Sequence, residues 1–148
     1  MILGAHLLLA LLGQVNPFDP VNDIRHKLAA VTQDSAPPVL TQQRLRHITD
    51  GDSRGGGHLH GSGTPCKSEF PASWTREKIA RDIPLLAAND NLDWQESRNG
   101  YVMAESMTAD GLKIRIVVDP QDNEIITAYP VNVPRNPCPA AANDNRRN

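Results

Sequence analysis

Six of the chain's ten glycines fall between residues 51 and 64, in GDSRGGGHLHGSGT. Glycine loses more backbone freedom on ordering than any other residue, so neither a helix nor a central strand tolerates that density. The segment reads as a loop or a set of tight turns whose backbone comes close to something. It also divides the chain, with helical spacing before it and strand-like alternation well after it.

On the N-terminal side, residues 2–12 (ILGAHLLLALL) are strongly apolar. A membrane span needs about 20 such residues, so no stable span is expected. The length suits the apolar region of a secretion signal, but no Lys or Arg precedes it and His6 interrupts it. A short helix packed on the domain or on a partner is the alternative. Ile24, Leu28 and Val31 then recur at helical spacing, with Asp19 and Pro20 suited to a helix start and His26 on the solvated side. Pro37 and Pro38 end regular structure, which places a linker at about 33–40.

Thr41 suits the N-cap of TQQRLRHITD, with Leu45 and Ile48 on one face and Gly51 as the stop. After the glycine segment, Ser73 or Thr75 caps WTREKIARDI, with Ile79 and Ile83 on one stripe. Pro84 is expected to kink or end that helix. Trp74 at the helix start, and Trp94, read as packing residues. YVMAES, LKIRIVV and EIITAYP then follow as strands, separated by the turn sequences TADG and DPQDN. Leu112, Ile114 and Ile116 share one face and Arg115 takes the other, as a solvated residue ahead of a phosphate contact. In the last strand Thr127 and Tyr129 share a face, and Ile126 with Ala128 are expected to face the core. Helices followed by an antiparallel meander make an α+β fold. The division is an N-terminal segment and linker (1–40), one domain (41–137) and an aperiodic, disordered tail (138–148).

Composition narrows the function. The 148 residues hold one compact domain with an appendage. Fifteen Lys and Arg against seventeen Asp and Glu leave a net charge of -2, so any contact with a polyanion must be local. Aromatics are only 4%, which argues against a stacking platform for single strands. Two cysteines, Cys66 and Cys138, exclude a disulfide-dense scaffold and a four-cysteine zinc module; whether they pair is open.

The chemistry concentrates at the glycines. His47, His58 and His60 lie around them, and imidazole is the side chain that exchanges protons near neutral pH. Two such rings can serve as base and acid in cleavage of RNA by its own 2′-hydroxyl. Lys67 supplies a cation for the charge that grows on phosphorus, and glycine N–H groups can approach phosphate closely. A metal site is a second reading, with His58 and His60 joined by His47, Asp50, Asp52 or Cys66. A nucleotide-phosphate loop is a third, because residues 61–68 approximate GxxxxGK[ST]. It is discarded, because Cys66 stands where the second glycine belongs and no apolar strand precedes it.

Taken in order, RHITDGD (46–52), GGGHLHGSG (55–63), CKSEFPASWTREKI (66–79), GLKIRIVVDP (111–120) and EIITAYPVNVPRNP (124–137) resemble the bacterial EndoU-like nucleases, common as C-terminal toxin modules. The resemblance covers about Arg44 to Pro137. It implies a fold akin to microbial ribonucleases, with helices packed on a small antiparallel sheet. It implies an endoribonuclease that needs no metal or other cofactor and leaves a 2′,3′-cyclic phosphate. By the same resemblance, His47 (H-x-x-x-G-D) and His58 (G-G-x-H) are the paired catalytic histidines, with His58 as base and His47 as acid. Lys67 is the catalytic lysine. Thr127 and Tyr129 fill a T-x-Y-P motif near the scissile phosphate and base, and His60 has no counterpart. The partners implied are an RNA substrate and a cognate immunity protein. A monomer is expected, and its location is open, with secretion or delivery into a target cell's cytoplasm as the options.

Overall fold

The computed structural model describes residues 36–140. The apolar run 2–12, the helix expected around residues 24–31 with His26, the first part of the linker and the end of the tail lie outside the described residues. Two helices, α1 (Gln42–Asp50) and α2 (Arg76–Ala87), precede four strands: β1 (Gln95–Glu96), β2 (Val102–Met107), β3 (Lys113–Asp119) and β4 (Glu124–Pro130). A 3-10 turn at Arg98–Gly100 joins β1 to β2. Each strand pairs antiparallel with the next, in sheet order β1-β2-β3-β4. The α+β class expected from the order of elements is the one observed.

Local signals account for the helices. The Thr41 hydroxyl accepts from the Arg44 N–H at 3.3 Å, which satisfies one of the unpaired donors of the first turn of α1. Gly51 ends the helix at φ +81° and donates to the carbonyls of Arg46 and His47. Leu45 and Ile48 are buried. Thr41 and Arg44 both also bond the Glu124 carboxylate at 3.1 Å, which fixes the start of α1 to the start of β4. Thr75, not Ser73, caps α2. That helix continues through Pro84 to Ala87 instead of ending at the proline. The proline lies in the last turn, so the helix forgoes only the bond to the Ala80 carbonyl. The turn beyond it still closes from the Ala88 N–H to the Pro84 carbonyl at 3.0 Å, and Ala87 is buried.

The strands follow their alternation. Leu112, Ile114, Ile116 and Val118 are buried, and Lys113, Arg115 and Val117 look the other way. One expectation needs correcting. Val117 pairs with Thr127 but Val118 pairs with Ile125, so Ile126 is the extra residue of a bulge. Ile125, fully buried, takes the core position that simple alternation assigns to Ile126, while Ala128 is buried as expected. The core lies between the inner sheet face and the helices and includes Ile48, Phe70, Ile79 and Ile83, with Trp74 and Trp94 as packing residues.

Two ties close the two ends of the described segment onto this frame. Val39, at the end of the segment read as linker, donates to the Asn123 carbonyl at 2.8 Å and accepts from the Ile125 N–H at 2.9 Å. Cys66 and Cys138 form a disulfide across a sequence separation of 72 residues. Closing a loop of that length stabilises the fold by about 4 kcal/mol on the chain-entropy account. Among the described residues no helix is long and apolar enough to cross a membrane.

Ile116 is fully buried on the central strand β3. Ile116→Ala is expected to lower stability by about 2–5 kcal/mol, read as a lower urea midpoint with an unchanged slope.

Candidate active site

The site begins at the C-terminal end of α1. The last carbonyls of a helix have no partner within it. Here those of His47, Ile48 and Thr49 accept from the N–H groups of Gly57, His58 and Leu59 at 3.1, 2.7 and 3.1 Å. The glycine segment therefore runs against the helix end, and this places the backbones of His47 and His58 next to each other. The approach leaves no room for a side chain at Gly56, where a Cβ would stand 1.8 Å from the His47 carbonyl oxygen. Its φ of +78° also favours glycine.

Each ring is held by its Nδ1. His47 Nδ1 lies 3.0 Å from Asp52 Oδ2. His58 Nδ1 lies 2.7 Å from the Ser68 carbonyl oxygen, which can only accept, so Nδ1 carries the proton and Nε2 keeps its lone pair. Ser68 is positioned in turn by its hydroxyl, which donates to the Pro130 carbonyl at 2.6 Å. His58 is buried, at 5% exposure. Burial pulls its titration below the usual 6.5, opposed by the Ser68 carbonyl and reinforced by the charges of Lys67, His47 and Arg135. Asp52 is held below the ordinary carboxylate range by the Arg54 N–H first and by His47 second.

The Tyr129 ring stacks on His58 with centroids 5.1 Å apart and planes 17° from parallel. On the same sheet face Arg115 lies opposite Tyr129, with its guanidinium carbon 6.0 Å from the ring centroid. Arg115 is ion-paired to Glu105 at 2.7 Å, so it is a face residue with a fixed partner. Thr127 sits two residues before Tyr129 and faces the same way, opposite Val117. The Lys67 ammonium lies over the glycine loop, 3.5 Å from where a Gly55 Cβ would be. His58, Cys66, Lys67, Ser68, Tyr129 and Arg135 line one cavity of about 260 Å³. His47 and Thr127 are not among its lining residues; His47 precedes Ile48, whose carbonyl accepts from the N–H of the lining residue His58.

The tip of the glycine loop has its own anchor. The Glu69 carboxylate accepts from the N–H groups of Gly61 and Gly63, each at 2.8 Å, and from Asn136 at 2.9 Å. Those bonds, Asn136 first, hold its titration down to about 2. Among the described residues no three His, Cys, Asp or Glu side chains converge on a metal-sized space. His60 is exposed, and Cys66 is committed to the disulfide. Asp52 as the partner of His47, together with Ser68, Glu69 and Arg135, is what sequence reasoning missed. The i, i+5 spacing of His47 and Asp52 across Gly51 was a readable signal for the first. The other three are set by tertiary contacts.

Two results are expected from this geometry. Gly56→Ala meets the His47 carbonyl, whereas Gly61→Ala, at φ +80°, meets nothing within 4 Å. Urea unfolding should show a loss of about 1 kcal/mol for the second, from backbone strain alone, and a clearly larger loss for the first. The folded His58 titrates below its unfolded value of 6.5. The stability this supplies is complete above that pH and is lost as pH falls through the folded midpoint. An NMR titration of the His58 ring should give a midpoint under 6.5, and His58→Gln should flatten the stability profile in that window.

A family model described as bacterial EndoU nuclease matches residues 46–132. No curated protein and no solved structure matches the chain. The matched interval contains His47, His58, Lys67, Thr127 and Tyr129 and covers more than half of the 148 residues. The chain belongs to the bacterial EndoU nuclease family.

Proposed function

We propose that this protein is an endoribonuclease that cuts RNA by transesterification without a metal ion, as the toxic module of a bacterial competition system. The observation that carries the chemistry is the unlike seating of two imidazoles on neighbouring backbone segments, one on a carbonyl and one on a carboxylate. The toxin role, the immunity partner and delivery into a target cell rest on the family alone.

His58 is the base. Its ring is kept neutral by burial, with the Nε2 lone pair available to take the proton of the 2′-hydroxyl. The freed O2′ attacks phosphorus and closes the 2′,3′-cyclic phosphate. His47 is the acid, and its Nε2–H protonates the departing 5′-oxygen while Asp52 holds the ring at Nδ1. Lys67 offsets the negative charge that grows on the non-bridging oxygens. Thr127 and Tyr129 receive the nucleoside next to the cut on the sheet face. Once the cyclic product leaves, His47 has lost a proton and His58 has gained one, and exchange with water resets the pair.

Incubation of the purified protein with total RNA, followed by mapping of the fragment ends, should give 2′,3′-cyclic phosphates. The yield should be unchanged by EDTA, and the rate should fall about 10²–10⁴-fold in His47→Ala and in His58→Ala. Cleavage that EDTA abolishes and zinc restores would establish the metal reading instead. Cleavage of DNA at a similar rate would exclude a 2′-hydroxyl nucleophile.

A further inference from the structure

Residues 135–138 form a strap that lies antiparallel to residues 66–68. Arg135 pairs with Ser68 as an isolated β-bridge. The Asn136 N–H donates to the Lys67 carbonyl at 2.7 Å, and the Cys66 N–H donates back to the carbonyls of Asn136 and Pro137 at 3.2 and 3.3 Å. The Asn136 side chain reaches the Thr64 carbonyl and the Glu69 carboxylate, each at 2.9 Å. The Cys66–Cys138 disulfide closes the end. These are many ties for four residues, and the family match stops short of them, at residue 132.

Packing does not explain the strap, because Arg135, Pro137 and Cys138 are exposed. What it does is bring Arg135 to the wall of the cavity that holds His58, Lys67 and Tyr129. The Arg135 charge is one of those that lower the His58 titration, in keeping with that position. Among the described residues Arg135, Arg46 and Arg98 form no salt bridge, in contrast to Arg44, Arg54, Arg76, Arg81 and Arg115, and of those three only Arg135 lines this cavity. An unpaired guanidinium carried by a tied backbone at a concave site, next to a second cation, suits a phosphate group, which it can engage through two parallel N–H···O bonds.

We propose that Arg135 is a substrate-binding residue that engages a backbone phosphate of the RNA at the cut site, and that the disulfide-closed strap exists to hold it there. The inference rests on the ribonuclease reading for its substrate. It adds a second cation to Lys67 and assigns the disulfide a functional task. Because the chain carries a net charge of -2, RNA affinity must come from a few placed cations, and this is one of them.

The test uses the oxidised full chain, a short RNA oligonucleotide, and the same oligonucleotide with 2′-deoxy sugars as a non-cleavable ligand. Arg135→Ala should lower kcat/KM by about 10–100-fold, with Arg135→Lys recovering part of it. One lost phosphate contact should also reduce the steepness of log affinity against log salt by about 0.7. A merely structural change would not alter that slope, and Arg81→Ala, on α2, should leave it unchanged. Cys138→Ser should reproduce the loss when Arg135 is present and add less than about twofold to Arg135→Ala, because both changes remove one contact. Wild-type kcat/KM and salt slope in Arg135→Ala, in a protein that His58→Ala inactivates, would overturn the proposal. If wild type binds the oligonucleotide without cutting it, the ribonuclease reading fails, and the salt slope of binding still decides Arg135. If wild type does not bind it, both fail.

Discussion

The end of α1 is the constraint on which the site depends. Three carbonyls at a helix terminus need donors, and the N–H groups of residues 57–59 supply them at 2.7–3.1 Å. The contact does more than cap the helix. Its consequence is positional. It brings a loop that carries His58 against a helix whose last turn carries His47, and it requires a residue without a Cβ at position 56. The glycines are therefore a steric condition for bringing the two histidine-bearing segments together, and the flexibility they would give an isolated peptide is removed by the bonds they permit.

The second layer differentiates the rings. A carbonyl at His58 Nδ1 and burial of the ring favour the neutral tautomer with a free Nε2. A carboxylate at His47 Nδ1 accompanies the ring in either protonation state. Ser68 links this arrangement to the sheet, since its carbonyl holds His58 and its hydroxyl holds the last residue of β4. Tyr129, one residue earlier in β4, covers the face of the same imidazole. A shift of β4 would thus be felt at His58 through two separate contacts. Glu69 does the same for the far side of the loop by joining Gly61 and Gly63 to Asn136.

Much of this frame was legible in the chain. Caps, glycine stops and period-two alternation are local properties, so α1, the three long strands and the position of the glycine loop could be read directly. Pro84 misled because its effect depends on its place in the helix: in the last turn it removes one bond and leaves the burial of Ala87 intact. Ile126 misled because a bulge is a property of two strands, and its partner residues Val117 and Val118 lie in another segment. The two-residue β1 carries too few side chains to show a period. At the site, the histidines and Lys67 were marked by their spacing around the glycines, whereas Arg135 reaches the cavity only through a strap whose bonds and disulfide link residues about seventy positions apart.

The central claim is that His47 and His58 serve one phosphodiester from two sides. A crystal structure with a dinucleotide bound, its 2′-hydroxyl replaced by hydrogen so that it cannot react, tests this most directly. The phosphate is expected within hydrogen-bond reach of Nε2 of both rings, with the ribose 2′-carbon toward His58 and the 5′-oxygen toward His47. A phosphate held by one ring alone, with the other ring directed away from it, would contradict the account.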